Sequence, residues 1–218
     1  MKDNRSRRNH RREQIIDSAA ELFATLNFHQ VLMDDVARRA NLAKGTIYNY
    51  FKTKEELYRA IISDRLQHLL GILQKRVHTR NDSLTNLRRI IIHLYSFFAK
   101  YTHFFDIWYR EKARLDLQTE SQIAQQYQQI RQLMCTVLQQ GVKDGILREH
   151  HFDFVADLIL GMIDAAVLRS KRQSPEQQRQ ERLQVFELVL QAIGTERAHQ
   201  LHDLGVDDPE YAMQKNEK

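Results

Sequence analysis

Apolar residues recur at helical spacing through most of this 218-residue chain, and few residues interrupt them. The chain contains only two prolines and seven glycines, and no segment shows the sustained alternation of apolar and polar residues that marks a strand. The pattern therefore predicts an all-α fold. Its longest apolar stripe consists of Leu57, Ile61, Leu66, Leu69, Leu70, Leu73 and Val77.

Positive charge is concentrated in the first quarter of the chain. Residues 1–54 contain 11 Lys and Arg against six Asp and Glu, so their net charge of +5 equals that of the whole chain. A basic segment attached to a neutral body indicates a polyanion as partner. Residues 2–12 alone would fit a solvated basic tail equally well, and we interpret them as a flexible arm.

The sequence also indicates the cellular compartment of the protein. Cys135 is the only cysteine, which excludes an intrachain disulfide framework and fits a reducing cytoplasm. No apolar run approaches the roughly 18–20 residues that span a bilayer, and the basic N-terminus lacks the apolar region of a secretory signal. We expect a cytoplasmic protein with no membrane partner.

Capping and turn residues divide the chain into helices. The first helix should end near Asn27 and a second at Asn41, since Asn tolerates the left-handed conformation that often follows a helix. Thr53 and Glu56 predict a capping box for a long helix that extends to about residue 78. Further helices are predicted at about 83–101, 104–116, 120–144, 152–171 and 176–194, and Ser174 is the predicted N-cap of the last one.

The stretch from Lys44 to Phe51 has the pattern of a DNA recognition helix. At 100° per residue, Ile47 and Phe51 point to one side, and Gly45 and Asn49 point to the opposite side. The outer side is small and polar, so it could enter a major groove about 12 Å wide. An ordinary helical hairpin with an aromatic core remains the alternative from spacing alone.

Residues 11–57 resemble the DNA-binding domain of TetR-family transcriptional regulators. The resemblance lies in Arg11–Ile16, Ala19–Phe23, Asp35–Ala37, Lys44–Tyr48, Tyr50-Phe51 and Lys54–Leu57. It implies a homodimeric, usually repressing regulator of a palindromic operator, with a basic arm at 1–12, a helix-turn-helix domain at 13–55, a helical effector-binding and dimerisation domain at 56–196 and a polar tail at 197–218. It assigns DNA contacts to Arg7, Arg8, Arg11, Lys44, Gly45, Thr46, Tyr48, Asn49, Tyr50 and Lys54.

Four departures from the family pattern concern helix ends. Asn27 and Asn41 stand where glycine is common. Val31-Leu32 replaces a usual pair of hydroxyl residues, and Ala43 replaces a common serine. We expect the second and third helices to lack side-chain caps, each at a cost of about 1 kcal/mol.

The C-terminal body supplies candidates for two further sites. The last two apolar helices could be buried within the monomer. The resemblance implies instead that they pair with their copies, through Phe154, Leu158, Met162, Phe186, Val189, Leu190 and Ile193. The segment 94–109 is dense in aromatic rings, and ligand pockets are largely apolar. We predict a pocket for a hydrophobic or aromatic effector, with core packing as the alternative, lined by Phe97, Tyr101, Phe105, Trp108, Tyr109, Met134 and Met162.

Other patterns carry little functional weight. His150, His151 and Asp153, and likewise His199, His202 and Asp203, lie at spacings that a metal could use, but neither group has a fuller ligand set. No phosphate loop or nucleophile motif is present, so we predict neither a cofactor nor catalysis. The rival to a DNA-binding regulator is an all-helical ligand-binding or interaction protein without specific DNA binding.

Overall fold

The computed structural model describes residues 2–77, 82–113 and 121–204, and this part of the chain forms ten α-helices. A 3-10 turn, Phe28–Gln30, lies between the first two helices. The helices are α1 Lys2–Thr25, α2 Met33–Arg39, α3 Lys44–Tyr50, α4 Lys54–Arg76, α5 Ser83–Lys100, α6 Thr102–Lys112, α7 Gln122–Lys143, α8 Phe152–Ser170, α9 Pro175–Ile193 and α10 Glu196–Leu204.

The basic N-terminal segment is helical, so the prediction of a flexible arm at 1–12 is wrong in this respect. Helix α1 begins at Lys2 and continues without a break into the apolar stretch around Ile15. The segment contains neither glycine nor proline, and adding residues to an existing helix costs far less than starting a new one. The packed second half of α1 therefore extends towards the N-terminus.

The first three helices enclose a small apolar core. Ile15 and Phe23 from α1, Val36 from α2, and Ile47 from α3 are buried there, together with Phe51. Helix α2 packs against both α1 and α3. This arrangement is a helix-turn-helix, as predicted.

The two asparagines at helix ends differ in conformation. Asn41 has a φ of 52° and occupies the left-handed turn between α2 and α3, as predicted. Asn27 has a φ of −68°, so the left-handed prediction for this residue is wrong. It instead starts the 3-10 turn, where its backbone N–H donates to the Gln30 side chain at 3.0 Å.

The chain divides into two compact units, and the first contains more than the helix-turn-helix. It consists of Met1–Gly71 and Phe97–Gln129, so it includes most of α4, all of α6 and the start of α7. The predicted cap of α4 is present, since Thr53 Oγ1 accepts from the Glu56 N–H at 3.0 Å. Helix α6 packs against α1. The side chain of Arg110 donates to the Phe23 carbonyl, and Tyr58 donates to Glu111 at 2.9 Å.

The second unit consists of Ile72–Ser96 and Ile130–Lys218. Helices α8 and α9 pack together within it, and Ser174 forms the predicted capping box with Gln177. The turn after α7 is joined to the turn after α9: Thr195 N–H donates to the Ile146 carbonyl at 2.9 Å, and Arg148 N–H donates to the Ile193 carbonyl at 2.8 Å.

The structure corrects two predicted boundaries, that of the polar C-terminal tail and those of α6. The polar tail predicted at 197–218 begins with α10, which reaches Leu204, and residues 205–218 lie outside the described part. Ala198 and His202 lie one turn apart on the inner side of this short helix. Helix α6, predicted at 104–116, begins at Thr102 and ends at Lys112, and residues 114–116 lie outside the described part. None of the helices in the described ranges combines the length and apolar composition required to span a bilayer.

Candidate nucleic-acid interface and effector site

The short helix α3 has one buried side and one open side. Ile47 is fully buried and Phe51 nearly so, which holds the helix against its domain. Lys44, Gly45 and Asn49 are exposed, and Tyr48 is 36% exposed. Thr46 and Tyr50 are half-buried at the edges. The orientation matches the helical projection of the sequence and leaves a polar surface that could enter a DNA groove.

Gly45 is required neither by packing nor by backbone conformation. A Cβ atom at this position would meet no other atom within 4 Å. Its φ lies outside the left-handed region, which among the described glycines only Gly145 adopts. Glycine in a helix costs up to about 1 kcal/mol relative to alanine. No contact within the protein offsets that cost. The open surface above Gly45 is therefore the remaining physical reason for a glycine at this position.

Lys44 at the start of α3 forms an ion pair with Asp34 of α2. The Lys44 Nζ and Asp34 Oδ1 atoms lie 2.7 Å apart, and both side chains are more than half exposed. The hydrogen bond to Asp34 and its negative charge raise the pKa of Lys44. The ammonium group that we predict to contact a phosphate therefore already has a carboxylate partner.

Other basic groups of this unit have internal partners as well. Arg38 pairs with Asp35 at 2.7 Å, and Arg39 pairs with Glu21. The Lys54 ammonium donates to the Val31 carbonyl at 3.0 Å and lies 4.6 Å from the centre of the Phe28 ring. Lys54 thus has a local structural role beside its predicted DNA contact. Exposed side chains of Arg7, Arg8 and Arg11 share one side of α1.

The predicted loss of two helix caps is confirmed. Leu32 is the N-cap of α2 and Ala43 is the N-cap of α3, and neither side chain makes a capping hydrogen bond. Leu32 is 59% exposed. Both helices are therefore held by their apolar sides and not by their ends.

The rings of the predicted effector pocket pack against one another and against neighbouring rings such as Phe98 and Tyr127. Phe97 lies 4.7 Å from Tyr101 between ring centres, and Phe105 lies 5.7 Å from Tyr109. Phe97, Phe105 and Trp108 are buried, Tyr101 is half-buried, and Tyr109 is exposed. All of these rings belong to the first compact unit. Met134, which is buried, and Met162, which is half-buried, belong to the second.

A cleft of about 940 Å³ lies elsewhere in the first unit, among residues for which the sequence predicted no pocket. It is bounded by α1, α4, the end of α6 and the start of α7, and its lining includes Arg12, Glu56, Tyr58, Asp64 and Glu111. None of the predicted pocket residues lines it. Its charged wall differs from the apolar lining expected for a hydrophobic effector.

The predicted dimer residues separate into exposed and buried groups. Phe154 and Leu158 of α8 are 64% and 51% exposed, and Met162 is half-buried. Phe186, Val189 and Leu190 of α9 are buried within their own protomer, and Ile193 is half-buried. The large apolar side chains that these two helices expose are Phe154, Leu158, Leu168 and Leu188.

The cysteine and the histidines that could react or bind a metal contact neighbouring side chains. Cys135 is buried with its Sγ atom 3.6 Å from Asp153 Oδ1, and burial followed by the Asp153 charge raises the pKa of the thiol. His150 lies against Phe152, and His202 lies against Phe186. Within the described ranges, no group of three or more His, Cys, Asp or Glu side chains is placed to hold a metal ion.

Comparison with known proteins identifies the family. Residues 15–61 match the family model of the bacterial regulatory proteins of the tetR family. Residues 80–168 match the tetracycline repressor-like C-terminal domain. The chain belongs to the TetR family. This TetR-family protein is a DNA-binding transcriptional regulator, and members of the family bind operator DNA as dimers.

The individual relatives include both an activator and a repressor of transcription. The HTH-type transcriptional activator FasR of Mycolicibacterium smegmatis is 30% identical over 123 residues, which cover 56% of this TetR-family chain and 54% of FasR. The HTH-type transcriptional repressor KstR2 of the same organism is 28% identical over 156 residues, covering 70% of this chain and 74% of KstR2.

A solved structure confirms the shared fold. The transcriptional regulator FadR of Bacillus subtilis, in complex with stearoyl-CoA, has a TM-score of 0.64 and 21% sequence identity. The match covers 81% of this TetR-family chain and 96% of FadR.

Proposed function

We propose that this protein is a cytoplasmic, non-enzymatic repressor that binds a palindromic operator and leaves it when a hydrophobic effector binds. The exposed side of α3 carries this proposal. Gly45 there has no packing or conformational purpose, while Ile47 and Phe51 fix the helix from behind. Lys44, Thr46, Tyr48, Asn49 and Tyr50 surround the open position and supply groups for phosphates and base edges.

The basic face of α1 supplies the less specific part of the interaction. Arg7, Arg8 and Arg11 are exposed on one side of the helix. Arginine binds phosphate oxygens in a planar, bidentate geometry, and such contacts position a protein without reading sequence. We assign these three residues to the DNA backbone or an adjacent minor groove.

The proposed effector is apolar for most of its length. The ring cluster from Phe97 to Tyr109 offers apolar contact surface, and Tyr101 and Tyr109 are its accessible members. The structurally similar FadR was solved with stearoyl-CoA, which favours a long acyl chain as the first compound to test. Repression is favoured over activation because the match to KstR2 covers 74% of that repressor, whereas the match to FasR covers 54% of that activator.

The proposed dimer forms through the exposed apolar side of α8. Phe154 and Leu158 lie one turn apart, and Gly161, Ala165 and Leu168 continue the same line with exposed positions. Small residues along such a line allow a partner helix to approach closely. Leu188 adds an exposed apolar side chain on α9.

DNA selection from a random pool tests the function directly. The purified protein should enrich a palindrome with half-sites about 34–36 Å apart or a multiple of that distance. A Lys44→Ala, Tyr48→Ala variant should bind the selected site at least about tenfold more weakly, equivalent to about 1.4 kcal/mol. Lys75→Ala, on the exposed side of α4, is the matched control and should bind normally.

Stearoyl-CoA is then titrated into the complex. Release of the DNA, together with a change in the fluorescence of the buried Trp108, supports the effector proposal. Failure to enrich any sequence would instead favour the rival function, a helical ligand-binding protein without specific DNA binding. DNA binding that no acyl-CoA or other apolar compound alters would remove the effector proposal alone.

A further inference from the structure

Arg65 is a buried cation in the middle of α4. Its side chain is 9% exposed, although it occupies a helix whose neighbouring inward residues are Ile61 and Leu69. A buried guanidinium needs partners, because taking its charge out of water is costly unless the charge is compensated. Arg65 has two such partners, and they belong to two different parts of the first compact unit.

The first partner is in the DNA-binding half. The Arg65 Nη2 atom forms a hydrogen-bonded ion pair with Asp17 Oδ1 on α1. Asp17 lies between the buried residues Ile16 and Ala20, on the helix that also carries the basic N-terminal face. The position of α1 is therefore linked to the position of the guanidinium.

The second partner is the ring of Tyr101. The Arg65 Cζ atom lies 4.4 Å from the centre of this ring, within the range of a cation–π contact. Tyr101 is the residue before α6, and its ring also contacts Phe97 and His68, with centres 4.7 and 6.1 Å away. Tyr101 is half-buried, so it is a member of the aromatic cluster that a small molecule could contact without first opening the cluster.

The far end of α6 contacts α1 as well. Arg110 donates to the carbonyl oxygen of Phe23. Helix α6 is consequently joined to α1 at both of its ends, through Arg65 at the first and directly at the second. A displacement of Tyr101 would change only the first of these connections, and it would leave the guanidinium face without its ring.

We infer that Arg65 is a positioning residue that couples the state of Tyr101 to the placement of α1 on DNA. The inference rests on the proposed function, since Tyr101 belongs to the proposed effector site. Arg65 touches neither DNA nor effector in this scheme. The planar guanidinium binds the carboxylate of Asp17 at its edge and the ring of Tyr101 on its face. Both contacts therefore depend on one rigid group.

Operator affinity in a double-mutant cycle tests this role without any effector. Tyr101→Leu is made in the wild-type chain and in an Arg65→Lys chain, and binding to the selected operator is measured for all four proteins. Lysine keeps the charge beside Asp17 but loses the planar face, so Arg65→Lys should fold with little change in Tm. We expect Tyr101→Leu to change the Kd about tenfold in the arginine background, within the 5–150-fold range of typical coupling between sites, and less than about twofold in the lysine background.

A second ion pair provides the matched control. Arg12 and Asp64 also join α1 to α4, but the ring that the Arg12 guanidinium faces is that of Phe51 and not that of Tyr101. Asp64→Asn combined with Tyr101→Leu should give additive effects on the Kd. A purely structural Arg65 would lower Tm in every combination and leave the effect of Tyr101→Leu equal in both backgrounds, which overturns the inference. If the wild-type protein selects no operator, the proposed function fails first, and the two failures are thereby distinguished.

Discussion

Lys44 Nζ and Asp34 Oδ1 lie 2.7 Å apart, so the first residue of the recognition helix is paired with a carboxylate before any DNA is bound. A DNA phosphate must displace that carboxylate from Lys44 or bind close to its negative charge. Asp34→Asn should therefore raise affinity for DNA severalfold and increase the slope of log K against log salt by about one per half-site. Because both side chains are mostly exposed, the free energy of unfolding should change little.

Asp35→Asn is the control for this experiment, since Asp35 pairs with Arg38 and not with Lys44. Equal effects of the two substitutions would mean that total charge matters and the specific pair does not. A weaker complex with Asp34→Asn would contradict the competition and assign the carboxylate a positive role in binding.

Gly45→Ala should separate folding from DNA binding. The added methyl group meets no protein atom within 4 Å and improves helix propensity, so the protein should gain up to about 1 kcal/mol of stability. The same methyl group projects from the proposed DNA surface, and operator affinity should fall on the order of tenfold, or about 1.4 kcal/mol. Gly71→Ala in α4, where a Cβ is equally free, should raise Tm without affecting the Kd.

Ala43→Ser should restore a missing helix cap. The N-cap of α3 has an extended backbone but no side-chain acceptor, and a serine there typically adds about 1 kcal/mol. The new hydroxyl can also donate to a phosphate, so affinity should rise together with stability. Ser174→Ala, which removes the cap of α9, gives the size of a capping effect in this protein away from DNA. Denaturant titration and operator binding of both variants measure the two effects.

Substitutions on α8 and α9 should have opposite consequences. Leu158→Glu places a charge on the exposed apolar side and should convert the dimer to a monomer, as measured by size-exclusion chromatography with light scattering. Phe186→Ala creates a cavity in the protomer core and should cost about 3–5 kcal/mol while the dimer persists at low temperature. A dimeric Leu158→Glu protein would place the subunit interface elsewhere.

The thiol of Cys135 should be inert in the folded protein. Burial disfavours the thiolate and raises its pKa above the unfolded value, so the associated stability is complete below about pH 8.5 and declines as the pH rises through the folded pKa. At pH 8 a disulfide reagent should react at least about tenfold more slowly with native protein than with protein in guanidinium chloride. Equal rates would show that the site opens readily.

The orientation of α3 could be predicted from the sequence because it depends on local periodicity. Ile47 and Phe51 are one turn apart, and the three-helix core leaves them only one apolar direction. The helix caps at Thr53 and Ser174 could also be predicted from the sequence, because a capping hydrogen bond joins residues only three positions apart. Asn27 was not, because two backbone conformations suit Asn at a helix end and tertiary packing selects between them.

Long-range polar contacts could not be predicted in the same way. Arg65 stands between Ile61 and Leu69 at four-residue spacing, so an arginine on the apolar stripe was a visible signal of a buried charge. Its partners Asp17 and Tyr101 lie 48 and 36 positions away in the chain, and no pattern within α4 identifies them. The same holds for Phe186 and Leu190, whose helical spacing fits a subunit interface and a protomer core equally well.

The polar connections of α1 also affect how the protein can be recombined. A chimera that joins residues 1–55 of this chain to the body of another regulator would separate Asp17 from Arg65, and Phe23 from Arg110. Such a hybrid would carry an intact recognition helix on a scaffold without its anchors. Exchanging the DNA-binding domain between regulators would therefore require transferring Arg65 and Arg110 together with it. The boundaries of a working chimera should follow the compact units and not the helix-turn-helix motif.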